Sequence, residues 1–133
     1  MQPNALDRFA KQAERFVAWC EQDAAVGTEA AAHCLRLLVD LFQAGLELPP
    51  YEATDQDESP FAVSHEDWDR MFQRMARLPL DMYGTVFDPL LIPPAEPVVA
   101  SLADDLADIY RDVVVGLRCH KAGLPEAALW EWA

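Results

Sequence analysis

Apolar side chains recur at steps of three and four residues along most of the chain, which is typical of helices that bury one face. In the first such stretch Leu6, Phe9, Ala13 and Phe16 share one stripe, while Arg15 and other polar residues face away. The pattern predicts an all-α fold of about five helices. We expect them over residues 5–23, 29–46, 64–78, from about 98–101 to 122, and 125–133.

Residues that favour helix ends support these limits. Small polar side chains that can accept a hydrogen bond from the first helical turn precede four of the helices. Gly and Pro also fall where a helix is expected to end and the next to begin. The predicted N-terminal caps are Asn4, Thr28, Ser64 and Ser101. Gly123 is predicted to end the long helix, and Pro125 to lie in the first turn of the last one.

The second predicted helix has the widest apolar arc, because leucine, valine, phenylalanine and cysteine occupy well over half of its circumference. A helix that is apolar on so many sides is predicted to lie at the centre of a bundle. Asp40 and Glu47 belong to the narrow polar strip that remains.

Two segments interrupt the helical pattern within what we expect to be a single domain, residues 1–133. Residues 49–62 combine prolines, aspartates and a serine, which indicates an acidic loop. Residues 79–97 are proline-rich and apolar and look too irregular for a hairpin. We expect this second segment to be an ordered connector packed onto the core.

Charge narrows the range of partners. The chain of 133 residues has 10 Lys+Arg against 23 Asp+Glu, a net charge of -13. Such a surface repels phosphate backbones and anionic lipids, so we expect neither nucleic-acid nor membrane binding and favour a partner with a basic surface. Neither a membrane-spanning apolar run nor a signal peptide is visible in the sequence, and we therefore expect a cytoplasmic location.

The segment SLADDLADIYRD places four aspartates within residues 101–112. Asp104, Asp108 and Asp112 recur every fourth residue on the side opposite the apolar arc, as expected of a solvated helix face. Together with Asp55, Asp57 and Glu58 of the acidic loop and with Trp132, these aspartates form the predicted partner-binding surface. Trp130 is predicted to lie in the core.

Two other functions are compatible with the residues. Acidic pairs three residues apart on two helices hold Mg²⁺ in all-helical nucleotide pyrophosphohydrolases, and Glu66 with Asp69 and Asp105 with Asp108 have this spacing. An aromatic pocket for a small apolar ligand would be built from Tyr83, Phe87 and Tyr110.

The cysteines favour no cofactor. Cys20, Cys34 and Cys119 are odd in number and contain no CxxC pair, so neither a disulfide framework nor a zinc-finger spacing is present. His33 beside Cys34 and His120 beside Cys119 are ligand types, but neighbouring helical residues point about 100° apart and chelate one ion poorly.

The segments VSHEDWDRMF, LPLDMYGTVFDPL, PVVASLADDLADIYRDVVVGL and GLPEAALWEW resemble a bacterial family known as domain of unknown function 5063. The resemblance runs from the first helix to the end and is most specific between residues 63 and 132. It implies a small all-helical fold and assigns no catalytic residue. It also implies a further amphipathic helix after ALWEW; without that helix, an open apolar groove would favour a homodimer.

No convergent polar cluster is visible on any predicted apolar face, and catalysis normally needs one. The sequence therefore favours a non-enzymatic protein-interaction module with an acidic surface. The metal-dependent hydrolase and the apolar-ligand protein are the two alternatives.

Overall fold

The computed structural model describes residues 2–22, 27–51, 61–79 and 81–133. It confirms the mostly helical fold, with five helices among these residues, and adds a small two-stranded sheet. The elements are α1 (Ala5–Cys20), α2 (Thr28–Gly45), α3 (His65–Met75), β1 (Met82–Thr85), β2 (Val98–Ser101), α4 (Leu102–Lys121) and α5 (Pro125–Trp132). Most of the acidic loop predicted over residues 49–62 lies outside the described residues.

Three of the predicted N-terminal caps are confirmed. The side-chain oxygens of Asn4, Ser64 and Ser101 accept hydrogen bonds from backbone amides three residues on, at 2.8, 3.1 and 3.3 Å. The cap predicted at Thr28 is wrong, because α2 begins at Thr28 itself and Gly27 precedes it without a side-chain bond. Gly27 has a φ of 89°, a left-handed conformation that glycine adopts without strain.

The predictions for Gly123 and Pro125 are also confirmed. Gly123 follows the end of α4 at a φ of 77°, the left-handed conformation common at helix ends. Pro125 occupies the first position of α5, where its missing amide hydrogen breaks no helical bond. These two residues turn the chain so that α5 packs back along α4.

Helix α4 lies at the centre of the bundle and packs against α1, α3 and α5. Ten of its residues are buried, and they occupy most of its circumference: Ala103, Leu106, Ala107, Tyr110, Val113, Val114, Val115, Gly116, Leu117 and Cys119. The opposing side chains come mainly from Phe9, Ala13 and Phe16 of α1 and from Met71 and Met75 of α3.

The prediction that the second helix is central is therefore wrong. Helix α2 packs mainly on α1 and buries Cys34, Leu37 and Leu41. Leu38 is partly buried against the core, but Leu35, Val39 and Phe42 are exposed. They are exposed because α2 packs mainly against one helix, α1, in the described part of the chain. The apolar arc of α2 is wide enough to contact several helices, but α2 packs mainly against one.

Two expectations for the connector, that it is too irregular for a hairpin and that it packs onto the core, are wrong as well. Residues 82–85 and 98–101 pair as an antiparallel ribbon, with Met82 opposite Ser101 and Thr85 opposite Val98. The segment between the strands is exposed rather than packed on the core, and Phe87 is 88% exposed. Each strand has four residues, and a ribbon with solvent on both faces needs no apolar–polar alternation, so the sequence carried little signal of it.

The two C-terminal tryptophans exchange their expected places. Ala128 of α5 is fully buried, and Trp132 lies one helical turn further on the same side, so it packs against the core. The Trp132 indole nitrogen donates to the Val113 carbonyl at 3.1 Å, and its ring lies 4.6 Å from that of Phe9. Trp130 is 42% exposed, so its predicted core position is wrong.

Candidate functional site

The predicted acidic face of α4 exists, but two of its three carboxylates, those of Asp108 and Asp112, are already engaged. Asp108 accepts a hydrogen bond from the Trp68 indole nitrogen at 2.9 Å and forms an ion pair with Arg111 at 3.1 Å. Arg111 also pairs with Asp112 at 3.1 Å, whereas Asp104 lies exposed beside the helix start. Asp108 therefore joins α3 to α4, and the free negative surface is smaller than the sequence predicted.

The other predicted partner-binding residues divide into two groups. Asp55, Asp57 and Glu58 lie outside the described residues. Trp132 lies partly buried in the contact between α5, α4 and α1, where its indole N–H is already bonded. The Trp132 ring therefore contributes mainly to contacts within the chain.

The four carboxylates of the metal-site alternative have separate partners. Glu66 lies 3.9 Å from Arg70, and Asp69 lies 3.9 Å from His65. Asp105 accepts a hydrogen bond from the Tyr83 hydroxyl, and Asp108 from Trp68. Within residues 2–22, 27–51, 61–79 and 81–133, no group of three or more His, Cys, Asp or Glu side chains is arranged to hold a metal ion.

The aromatic pocket predicted from Tyr83, Phe87 and Tyr110 is not assembled. Tyr110 is buried in the core, whereas Tyr83 and Phe87 are 43% and 88% exposed on and beyond the ribbon. The bond between the Tyr83 hydroxyl and Asp105 raises the pKa of this tyrosine. It also holds the ribbon against the start of α4.

The thiols are buried and poorly suited to nucleophilic chemistry. None of the three cysteines, all of which lie among the described residues, forms a disulfide, and all three are buried. Burial raises the pKa of Cys34 to about 11 and that of Cys20 further, and a nucleophilic cysteine needs the opposite shift. His120, beside Cys119 in sequence, points instead to Asp7 at 3.1 Å.

An exposed apolar row on α2, which we call the α2 stripe, consists of Leu35, Val39, Phe42 and Leu46. These side chains are 62, 53, 71 and 72% exposed. They lie on one line along the helix, because their spacings are four, three and four residues. These residues belong to the wide apolar arc of the second predicted helix, which was expected to lie at the centre of the bundle. The width of that arc indicated an additional apolar surface. Which part of the arc stays exposed depends on the neighbouring helices, which the sequence pattern does not specify.

Charged residues border one side of the α2 stripe. Asp40 pairs with Arg15 at 3.3 Å, and Glu47 pairs with Arg8 at 3.0 Å, so both acidic residues are tied to α1. These two ion pairs therefore hold polar side chains in place along one side of the stripe.

A second apolar surface is the outer part of the ribbon connection, which we call the connector tip. Phe87, Leu90 and Ile92 are 88, 87 and 90% exposed. A few scattered apolar residues at a surface are ordinary, but a cluster of large ones is typical of an interaction site. Among the described residues, the connector tip and the α2 stripe are both clusters of this kind.

A polar cleft of about 280 Å³ lies where α3 and α4 meet the end of α1. It is lined by three guanidinium groups, two carboxylates and a phenol: Arg70, Arg74, Arg118, Glu21, Asp67 and Tyr110. The Tyr110 hydroxyl donates to Glu21 at 2.9 Å, and burial together with this bond raises the pKa of Tyr110. Sequence reasoning missed the cleft, because its residues come from three separated helical segments.

None of the helices that the structure describes is long and apolar enough to cross a membrane. Comparison with solved structures finds a similar fold in a crystal structure of protein BF1032 from Bacteroides fragilis. The TM-score is 0.75 at 19% identity, over 96% of this chain and 78% of the other. At this identity the similarity shows the fold.

No curated protein matches the chain. The family described as "Domain of unknown function (DUF5063)" matches residues 2–133, essentially the whole sequence. This match covers the segments that carried the resemblance in the sequence and confirms it. The chain therefore belongs to the DUF5063 family.

Proposed function

We propose that the chain is a protein-interaction module that receives an amphipathic, basic-edged helix of another protein on the α2 stripe. The observation that carries the proposal is the row of four large apolar side chains on α2, each more than half exposed. Water contact with such a row is unfavourable, and burying it against a partner would release that free energy.

The geometry of the stripe specifies the shape of the partner. Side chains at steps of four, three and four residues form a nearly straight ridge, which packs best between the ridges of a second helix. Phe42 lies near the middle of the ridge, where a large aromatic side chain contributes most to an interface. The partner is therefore expected to present its own apolar stripe.

Charge specifies the edges of the partner. The net charge of -13 opposes a second copy of this chain and favours a partner with Lys and Arg beside its apolar row. No Lys or Arg occurs from residue 37 to 69. The arginines of α1 beside this part of α2, Arg8 and Arg15, are each paired with a carboxylate. The exposed Asp104 can contribute to the same long-range attraction.

The proposed site of action is the cytoplasm. Support comes from the three buried cysteines, which form no disulfide among the described residues, since oxidising compartments favour paired cysteines in small domains.

The test is photo-crosslinking in bacterial cells with a benzophenone amino acid in place of Phe42. We expect an adduct of one defined mass, formed with a helix of a different protein at an apolar position flanked by Lys or Arg. Leu46→Asp should abolish the adduct, because it buries an unpaired charge in the interface. Charge reversal of the flanking Lys or Arg residues should weaken it.

The matched control carries the benzophenone at Gln73, an exposed position on α3. The proposal is contradicted if position 42 yields no adduct, or yields the same products as position 73. Adducts between two copies of this chain would replace the proposed partner with a homodimer.

A further inference from the structure

The arginine cleft, defined as the space between Arg70, Arg74, Arg118, Glu21, Asp67 and Tyr110, concentrates positive charge in an acidic protein. Three of the 10 Lys+Arg residues of the whole chain line this one cavity. Its walls come from α3, from α4 and from the residue after α1, so it exists in the folded state alone. Met71 lies at its apolar base.

Two of the guanidinium groups are held in place by backbone carbonyls. Arg74 Nη1 donates to the carbonyl of Cys20 at 3.2 Å, and Arg118 Nη1 donates to the carbonyl of Phe61 at 3.0 Å. The carbonyl of Phe61 fixes the position of Arg118 without neutralising its charge. Since an arginine has five N–H donors in a rigid plane, this one bond leaves Arg118 able to donate to a ligand.

Arg118 differs from the exposed arginines in its charge balance. Arg8, Arg15, Arg70 and Arg111 each pair with at least one carboxylate. Arg118 is half-buried, and among the described residues its hydrogen bond is to a carbonyl and no carboxylate lies within ion-pair distance. A half-buried cation without a direct ion-pair partner is costly, and an anion bound to it would reduce that cost.

The two carboxylates of the cleft limit what it can accept. Asp67 pairs with Arg70 at 3.1 Å, at the rim. Glu21 accepts from Tyr110 and has no ion pair among the described residues. Its negative charge lowers the affinity of the cleft for any anion that approaches Arg118.

We propose that the arginine cleft binds a small oxyanion, a phosphate or carboxylate group, at the guanidinium of Arg118. Planar guanidinium forks match the geometry of both oxyanions, and a charge-assisted bond is about twice as strong as a neutral one. The volume of about 280 Å³ suits a small molecule rather than a polymer. The site is separate from the α2 stripe, so this inference does not rest on the proposed function.

The test is isothermal titration of the full chain with inorganic phosphate and, in parallel, with succinate at low ionic strength. We expect saturable binding of at least one of them; the one that binds identifies the oxyanion class. Arg118→Gln should lower the affinity about tenfold, the effect of one lost charge-assisted bond. Arg111→Gln, on the same helix but outside the cleft, should leave it unchanged.

A second variant gives an effect of opposite sign. Glu21→Gln keeps an acceptor for Tyr110 but removes the negative charge, so the affinity should rise, by about threefold at a partly exposed site. A merely structural role for these residues would not make one substitution weaken binding and the other strengthen it. If Arg118→Gln does not fold, Arg70→Gln at the exposed rim replaces it, with a smaller expected loss.

The inference is overturned if neither anion binds the wild-type chain, or if Arg111→Gln weakens binding as much as the cleft variants do. The second result would mean that anion binding depends on the overall charge of the protein and not on the cleft.

Discussion

Helices α2 and α4 have similar lengths, 18 and 20 residues, and both carry apolar side chains around much of their circumference. Helix α4 buries ten of its residues and α2 buries three. The difference lies in their neighbours, since α4 packs against three helices and α2 mainly against one. Apolar width therefore indicates how many contacts a helix is able to make, and the fold decides how many it makes.

The polar sides of the two helices differ in the same way. Asp108 of α4 binds the indole of Trp68 in a partly buried contact, whereas Asp40 of α2 and Glu47 just after α2 form exposed ion pairs with α1. Exposed ion pairs add about 0–1 kcal/mol each, while a partly buried bond leaves an unsatisfied donor when it is removed. We expect α4 to determine the stability of the bundle and α2 to determine its interactions.

The largest expected effect contrasts one leucine from each helix. Leu106 on α4 is 2% exposed, whereas Leu35 on α2 is 62% exposed. Leu106→Ala should lower the free energy of unfolding by about 2–5 kcal/mol, because the lost side chain leaves a cavity. Leu35→Ala, at the surface, should change it by less than about 0.5 kcal/mol. Urea denaturation measures both, and equal losses would contradict the comparison.

The next effect concerns the close packing of Trp132 of α5 against Gly116 of α4. A β-carbon at Gly116 would overlap the Trp132 indole nitrogen. Gly116→Ala should therefore destabilise the protein by about 1–3 kcal/mol, although alanine favours a helix by about 1 kcal/mol over glycine. Thermal unfolding in a Trp132→Leu background provides the control. The alanine should cost less there, and an equal cost would mean that the tryptophan is not the obstacle.

A smaller effect is expected from the acidic face of α4, where Asp108 binds Trp68 and Asp112 binds Arg111. Asp108→Ala should cost about 1–2 kcal/mol, because the partly buried indole N–H loses its acceptor. Asp112→Ala, which removes an exposed ion pair from the same helix, should cost less than about 0.5 kcal/mol. Chemical denaturation of the two variants separates the two roles. Equal losses would show that both act through Arg111.

The smallest effect depends on pH. Burial, followed by the negative charge of Asp112, raises the pKa of Glu131 on α5. The folded state then binds this proton more tightly than the unfolded state, so stability falls as pH rises from the ordinary glutamate value through the raised one. Glu131→Gln should raise the melting temperature slightly at pH 7 and have no such effect below the ordinary pKa. A decrease at pH 7 would contradict the shift.

Local chemistry made much of the fold predictable. Three of the four proposed N-terminal caps, the Gly123 end of α4 and the Pro125 start of α5 occur as the residue types indicated. These features depend on a few consecutive residues. The central helix and the ribbon depend on contacts between distant segments, and a single apolar arc cannot specify which helix will cover it.

The candidate sites were less predictable for the same reason. Arg74 and Arg118 lie far apart in the chain and meet in one cleft through the packing of α3 on α4. Asp104 was correctly placed on an outward face, yet the sequence did not indicate that Asp108 one turn later would bind Trp68. Trp130 and Trp132 are near neighbours, and the helical phase set by Ala128 decided which one packs inside.

The contact between Gly116 and Trp132 has an evolutionary consequence. The missing side chain at position 116 is the space that the indole fills, so the two positions form one unit of volume shared by α4 and α5. Homologues that gain a side chain at position 116 should carry a smaller residue at position 132, or dock the last helix at a different angle. An alignment of the family would then show these two columns changing together, although they belong to different helices.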